Sequence, residues 1–264
     1  MTYAVKNGKL CFSENFNERL TDDILEIMKQ YNKIKFGYHF NHEINNLPSN
    51  VTHIWFGKKF NQEINALPQG IVFINLGYFF NRSIDRLPLT LRKLILSKKF
   101  NQPMNNLPDN LEKLVINSSY DLPIDFLPVG LKKLKFENGS VFSQSLDNLP
   151  QLDKLQIPIQ YPKEINNLPD SIKQLSIGVF WVKGKRFCFD EPILSSISIA
   201  TFHFPHLENS IYLFDNKIQR FPANLEKLFI FRKYKYNDGL SSQLGDKLVI
   251  ASPDQLIRES LLFK

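Results

Sequence analysis

Residues 91–108 read LRKLILSKKFNQPMNNLP, and the fold follows from this stretch. Leu91, Leu94 and Leu96 are set in a short apolar run. In extended chain side chains alternate, so Leu94 and Leu96 face one side and Ile95 the other. Beyond this strand, Phe100, Met104 and Leu107 return across the coil to close an interior, and Pro108 stiffens a turn where no backbone donor is needed. One such unit alone buries little.

The same pattern recurs along the chain. Leu-Pro pairs place prolines at Pro48, Pro68, Pro88, Pro108, Pro128, Pro150 and Pro169, with spacings of 20, 20, 20, 20, 22 and 19 residues. A period of this length marks a stacked array in which each strand pairs with the next about 4.8 Å away and neighbours share one continuous core. Asn41, Asn61, Asn81 and Asn101, with Asp121 in the same slot, form a polar column beside the recurring phenylalanines. Their side chains are expected to sit in the interior and satisfy backbone groups freed at the bend of their own and the adjacent coil.

At Phe60-Asn61-Gln62-Glu63-Ile64-Asn65-Ala66-Leu67-Pro68 the unit resembles the signature of FNIP repeats. These are leucine-rich-repeat relatives abundant in social amoebae and in giant viruses that infect amoebae. The resemblance covers about residues 31–178 and continues, diverged, from Ile211 to Ile230. It implies an α/β-type repeat solenoid, leucine-rich-repeat-like, with a parallel β-sheet on the concave face and a role in binding another macromolecule. It implies no known reaction or cofactor. Units near 20 residues leave little room for helices, so the convex side is expected to be mostly irregular, with short helical caps.

On this reading residues 1–264 form a single solenoid domain. Residues 1–30 are an N-terminal cap, 31–178 regular repeats, 179–231 diverged repeats with a longer loop, and 232–264 a C-terminal cap. In the first cap Phe16-Asn17 is half a repeat, and Thr21 can cap a short helix carrying Ile24, Leu25 and Met28. The loop, Trp181 to Glu191, brings Lys183, Lys185, Arg186, Phe187 and Phe189 together, as binding loops often do. Ser252-Pro253-Asp254 opens a second helix, through Leu261, that would seal the end of the array or dock a partner.

A formal net charge of +7 favours acidic partners by long-range attraction. No apolar run reaches signal-peptide or membrane-span length, so a soluble, cytoplasmic protein is expected, in the host cytoplasm if the chain is viral. Cys11 and Cys188 read as buried thiols of a reducing compartment. There is no phosphate loop, dinucleotide fingerprint or nucleophile elbow. His203 and His206 with Cys188, and His39 and His42 with Glu43, are the nearest approaches to a metal set, and both are incomplete. The expectation is a non-enzyme without cofactor or metal.

The functional surface is expected on the outward strand positions. One column runs Lys33, His53, Phe73, Lys93, Lys113, Lys133 and Lys154; the other runs Lys35, Trp55, Asn75, Ile95, Val115, Lys135 and Gln156. Trp55, Phe73, Ile95 and Val115 would form an exposed apolar patch, flanked by Lys93, Lys113, Lys133 and Lys135. Aromatic anchors in a charged surround suit a protein partner with an acidic surface. Nucleic acid bound through the lysine column is the alternative.

Overall fold

The computed structural model describes residues 3–137, 140–157, 161 and 168–177, and the strands Ile199–Phe202, Lys227–Phe231 and Leu248–Ala251. The chain divides into two compact units, Met1–Lys132 and Lys133–Lys264. The expected loop at 181–191, the second helix, Cys188, His203 and His206 lie outside the described residues.

The first unit opens with a hairpin, β1 (Tyr3–Lys6) against β2 (Lys9–Phe12), paired antiparallel. Asn7 and Gly8 turn it with φ of 51° and 69°, the left-handed pair that matches the twist of a two-residue hairpin. The helix α1 (Asp22–Met28) follows, at the place that Ile24, Leu25 and Met28 mark out. Thr21 stands at its N-cap, yet its side chain makes no capping bond; only its carbonyl accepts from Leu25 N–H. Of the helix residues Met28 alone is buried.

From β2 onward the ladder is parallel. It runs through β3 (Lys33–Lys35), β4 (His53–Trp55), β5 (Phe73–Asn75), β6 (Lys93–Ile95) and β7 (Lys113–Ile116). The central residues pair one above another as Ile34, Ile54, Ile74, Leu94 and Leu114, all fully buried. In this unit each Leu-Pro pair closes a turn in which the proline carbonyl accepts from the first aliphatic residue of the next coil, as in Pro68 to Ile71 and Pro88 to Leu91. The proline loses no bond there, since it supplies only its oxygen.

Inside this unit the aromatic residues form two stacks. Phe16, Phe40, Phe60, Phe80, Phe100 and Tyr120 lie nearly parallel, 5.7–6.3 Å between successive centroids. Phe12, Phe36 and Phe56 make a shorter stack against them, with Phe56 only 4.0 Å from Phe60. Offset rings of this kind contribute about 0.5–1.5 kcal/mol per pair beyond the area they bury, which favours a like residue in each slot. Tyr120 keeps the ring and donates its hydroxyl to Pro123 O at 3.2 Å; burial pushes the phenol up from its usual range.

The asparagine slot is a ladder in its own right. The Oδ1 atoms of Asn17, Asn41, Asn61, Asn81 and Asn101 accept from the backbone N–H of Asn41, Asn61, Asn81, Asn101 and Asp121 at 2.8–3.1 Å. The column thus binds the adjacent coil as expected, but not in the interior: Asn41 and Asn61 are half-buried, and Asn81 and Asn101 are exposed. The phenylalanines fill the core, which leaves the amides at its rim.

The second unit continues the pattern with β8 (Lys133–Phe136), β9 (Lys154–Ile157), β10 (Gln174–Ile177), β11 (Ile199–Phe202), β12 (Lys227–Phe231) and β13 (Leu248–Ala251), all parallel. Phe136 packs on Phe142, which stacks on Tyr161 at 6.2 Å. Among the described residues both units have the parallel-strand character that the repeat predicts.

Candidate functional site on the outward sheet face

Strand alternation sends His53 and Trp55 of β4, Phe73 and Asn75 of β5, and Lys93 and Ile95 of β6 away from the core. Parallel register sets His53 beside Phe73 and Phe73 beside Lys93, with Trp55, Asn75 and Ile95 in the next column. The aromatic members gather into one cluster. Trp55 and Phe73 lie 4.7 Å apart and tilted by 42°, and His53 stacks on both at 5.9 and 5.7 Å.

Lysines cap this cluster. Lys9 Nζ stands 4.2 Å over the Trp55 ring and Lys93 Nζ 5.1 Å over Phe73. Ammonium groups over ring faces gain about 0.5–1 kcal/mol at exposed sites and cover the rings with their stems. Phe73 is consequently only 7% exposed; Val115, outside this cluster, is only 4% exposed. The expected continuous apolar patch is therefore corrected: Phe73 and Val115 are buried on their own face, and Trp55 and Ile95 remain half-exposed. Strand alternation assigned the side, but His53, Trp55 and Lys93 from the neighbouring strands close over Phe73.

His53 carries the electrostatic signature of the face. Desolvation lowers its pKa, and the charges of Lys33, Lys9 and Lys93 lower it further. Thr52 donates its hydroxyl to Asn32 O at 3.0 Å, so at 2.8 Å its oxygen can only accept from His53 Nδ1–H. Nε2 of neutral His53 is left as an acceptor.

In the first unit Lys93 pairs in register with Lys113, both half-buried. In the second, Lys133 lies beside Lys154 and Lys135 beside Gln156. Lys135 makes an ion pair with Glu137 at 3.2 Å, and Gln156 is buried and donates to Phe136 O.

The remaining sequence candidates separate. His39 packs on Tyr38, whereas His42 donates to Asn17 O at 3.0 Å beside a cleft of about 400 Å³ that includes Arg19 and Glu43. Asp85 and Asp147 accept from Ser83 and Ser145 two residues earlier, which holds them in local turns. Among the described residues no group of three or more His, Cys, Asp or Glu could hold a metal, and no helix is long and apolar enough to cross a membrane.

Residues 31–59, 40–79 and 100–139 match the FNIP repeat. A solved structure described as CroV588, a novel circular LRR protein, from a giant virus, is similar with a TM-score of 0.62 and 25% identity over 89% of this chain. The chain spans 38% of the length of that protein. No curated protein sequence matches significantly. The chain carries FNIP repeats and folds as a leucine-rich-repeat-like solenoid.

Proposed function

We propose that the protein is an interaction scaffold whose outward sheet face, centred on Trp55, engages a protein partner bearing acidic groups. The observation that carries this reading is the cluster of Trp55, Phe73 and His53 roofed by Lys9 and Lys93. Half-exposed aromatic rings in a pre-organised setting are where binding energy concentrates in protein interfaces. Repeat solenoids offer such open sheets as extended binding surfaces, which supports the same reading. Carboxylates of a partner would meet Lys9, Lys33 and Lys93 and offset the charge repulsion that, after burial, lowers the pKa of His53.

The test is affinity capture from amoebal cells with wild type and a Trp55→Ala variant matched for folding by circular dichroism. Trp55 is the residue to change, because truncating buried Phe73 would also open a cavity. Partners should be lost from the variant, and glutamate-rich segments of those partners should compete for the wild type. Equal recovery by the two proteins would refute the assignment to this face.

A further inference from the structure

A second surface lies on the turns that follow the strands, apart from the sheet face. Residues 37–40 form a turn closed by Phe40 N–H on Gly37 O, and residues 57–60 and 97–100 close in the same way. The turn tips are tied coil to coil. The N–H groups of Lys59, Phe79 and Lys99 donate to the carbonyls of Tyr38, Lys58 and Tyr78 at 2.9–3.1 Å. The side chains at these tips therefore stand in register, about one strand spacing of 4.8 Å apart.

Two of the tiers are basic and the one between them is aromatic. Lys58 and Lys59 form one tier, Tyr78 and Phe79 the next, and Lys98 and Lys99 the third. Lys58 Nζ sits between two rings, 5.1 Å from Tyr38 and 4.8 Å from Tyr78, and Lys98 Nζ is 5.6 Å from Tyr78. Tyrosines thus hold ammonium groups in place, while Lys59 and Lys99 extend into solvent. Among the described residues none of these four lysines is in an ion pair. Phe79 is 41% exposed and meets Tyr78 edge-on at 4.7 Å.

A solvent-facing phenylalanine between two lysine tiers contributes little to the core. We infer that this ridge binds single-stranded nucleic acid, with phosphates on the lysine tiers and a base stacked on Phe79. Charge complementarity requires a polyanion, and the flat ring set between the charges favours one that also carries aromatic faces. An acidic peptide would use the lysines and leave Phe79 without a matching surface.

The test is fluorescence anisotropy of labelled twelve-nucleotide oligo-dT and oligo-U with the full chain. Four neutralised phosphates on a single strand predict an affinity loss of about 50-fold between 50 and 200 mM salt. Phe79→Ala should weaken binding at least about five-fold without changing the salt slope. Lys58→Gln with Lys98→Gln should reduce that slope by about 1.4. A labelled oligo-glutamate of the same length should bind more weakly and ignore Phe79→Ala. No binding at 50 mM salt, binding lost instead through Lys93→Gln with Lys113→Gln, or equal capture of oligo-glutamate would each overturn the inference. Trp55→Ala should leave oligonucleotide binding intact, so this ridge and the sheet-face reading fail or stand separately.

Discussion

Replacing Gly57 by alanine tests how closely the coils are stacked. Gly37 and Gly57 occupy the same slot after the strand, and a Cβ added to Gly57 would lie 1.7 Å from Gly37 O and 2.6 Å from its carbonyl carbon. Backbone, unlike a flexible side chain, cannot swing away. The two coils would have to part by more than about 1 Å, far enough to stretch the bonds between them out of hydrogen-bonding range. The bonds at stake include Lys59 N–H to Tyr38 O and Phe36 N–H to Trp55 O, each 2.9 Å. Two such bonds at about 1 kcal/mol net each, with overpacking at about 1–3 kcal/mol, give a loss of about 3–5 kcal/mol. For a chain of this size that lowers the melting temperature by about 6–20 °C. Gly70 is the control, since its added Cβ would come no nearer than 3.3 Å to Ser49 O, and Gly70→Ala should cost no more than about 1 kcal/mol. Urea and thermal melts followed by circular dichroism measure both. A Gly57→Ala protein within about 1 kcal/mol of wild type, or a Gly70→Ala protein equally damaged, would refute the close-stacking argument.

Two further outcomes follow from the described contacts. Asn61→Ala removes the acceptor for Asn81 N–H and should cost about 1–2 kcal/mol in denaturant melts, whereas Asn61→Asp keeps that acceptor and should lose less than half as much; equal losses would show that Oδ1 is not what matters. His53, its pKa lowered by burial and by Lys33, Lys9 and Lys93, binds fewer protons folded than unfolded, so its contribution to stability falls as pH drops below 6.5. The fall in melting temperature from about pH 7.5 to about pH 5.5 should be smaller in His53→Gln than in wild type, and an unchanged or larger fall would contradict the assigned environment.

The fold was legible because its instructions repeat. Leu94, Phe100 and Pro108 have counterparts in the other coils at one period, so strand, core and turn positions could be read by superposing segments of sequence. The N-terminal hairpin escaped that reading although Asn7-Gly8 is a strong local signal, because it occurs once and lies outside the period. The side of the sheet on which the candidate residues lie was legible, but their exposure was not. Alternation placed Phe73 outward, but whether Lys93 and Trp55 fold down over it depends on side-chain torsions that no spacing encodes. The Tyr38, Lys58, Tyr78 and Lys98 row was in view at the same period, hidden inside what reads as a polar link between strand and Phe-Asn.

The asparagine ladder makes the coils exchangeable. Every rung is one side-chain oxygen offered to one backbone N–H at the same slot, and none depends on a residue peculiar to its own coil. Excising residues 61–80 would bring Asn81 onto Asn41 and Phe80's successor Phe100 onto Phe60, with each slot meeting its own kind. Such a chain can grow or shrink by whole units while its joints stay the same, leaving the outward residues of each unit to vary independently of the scaffold.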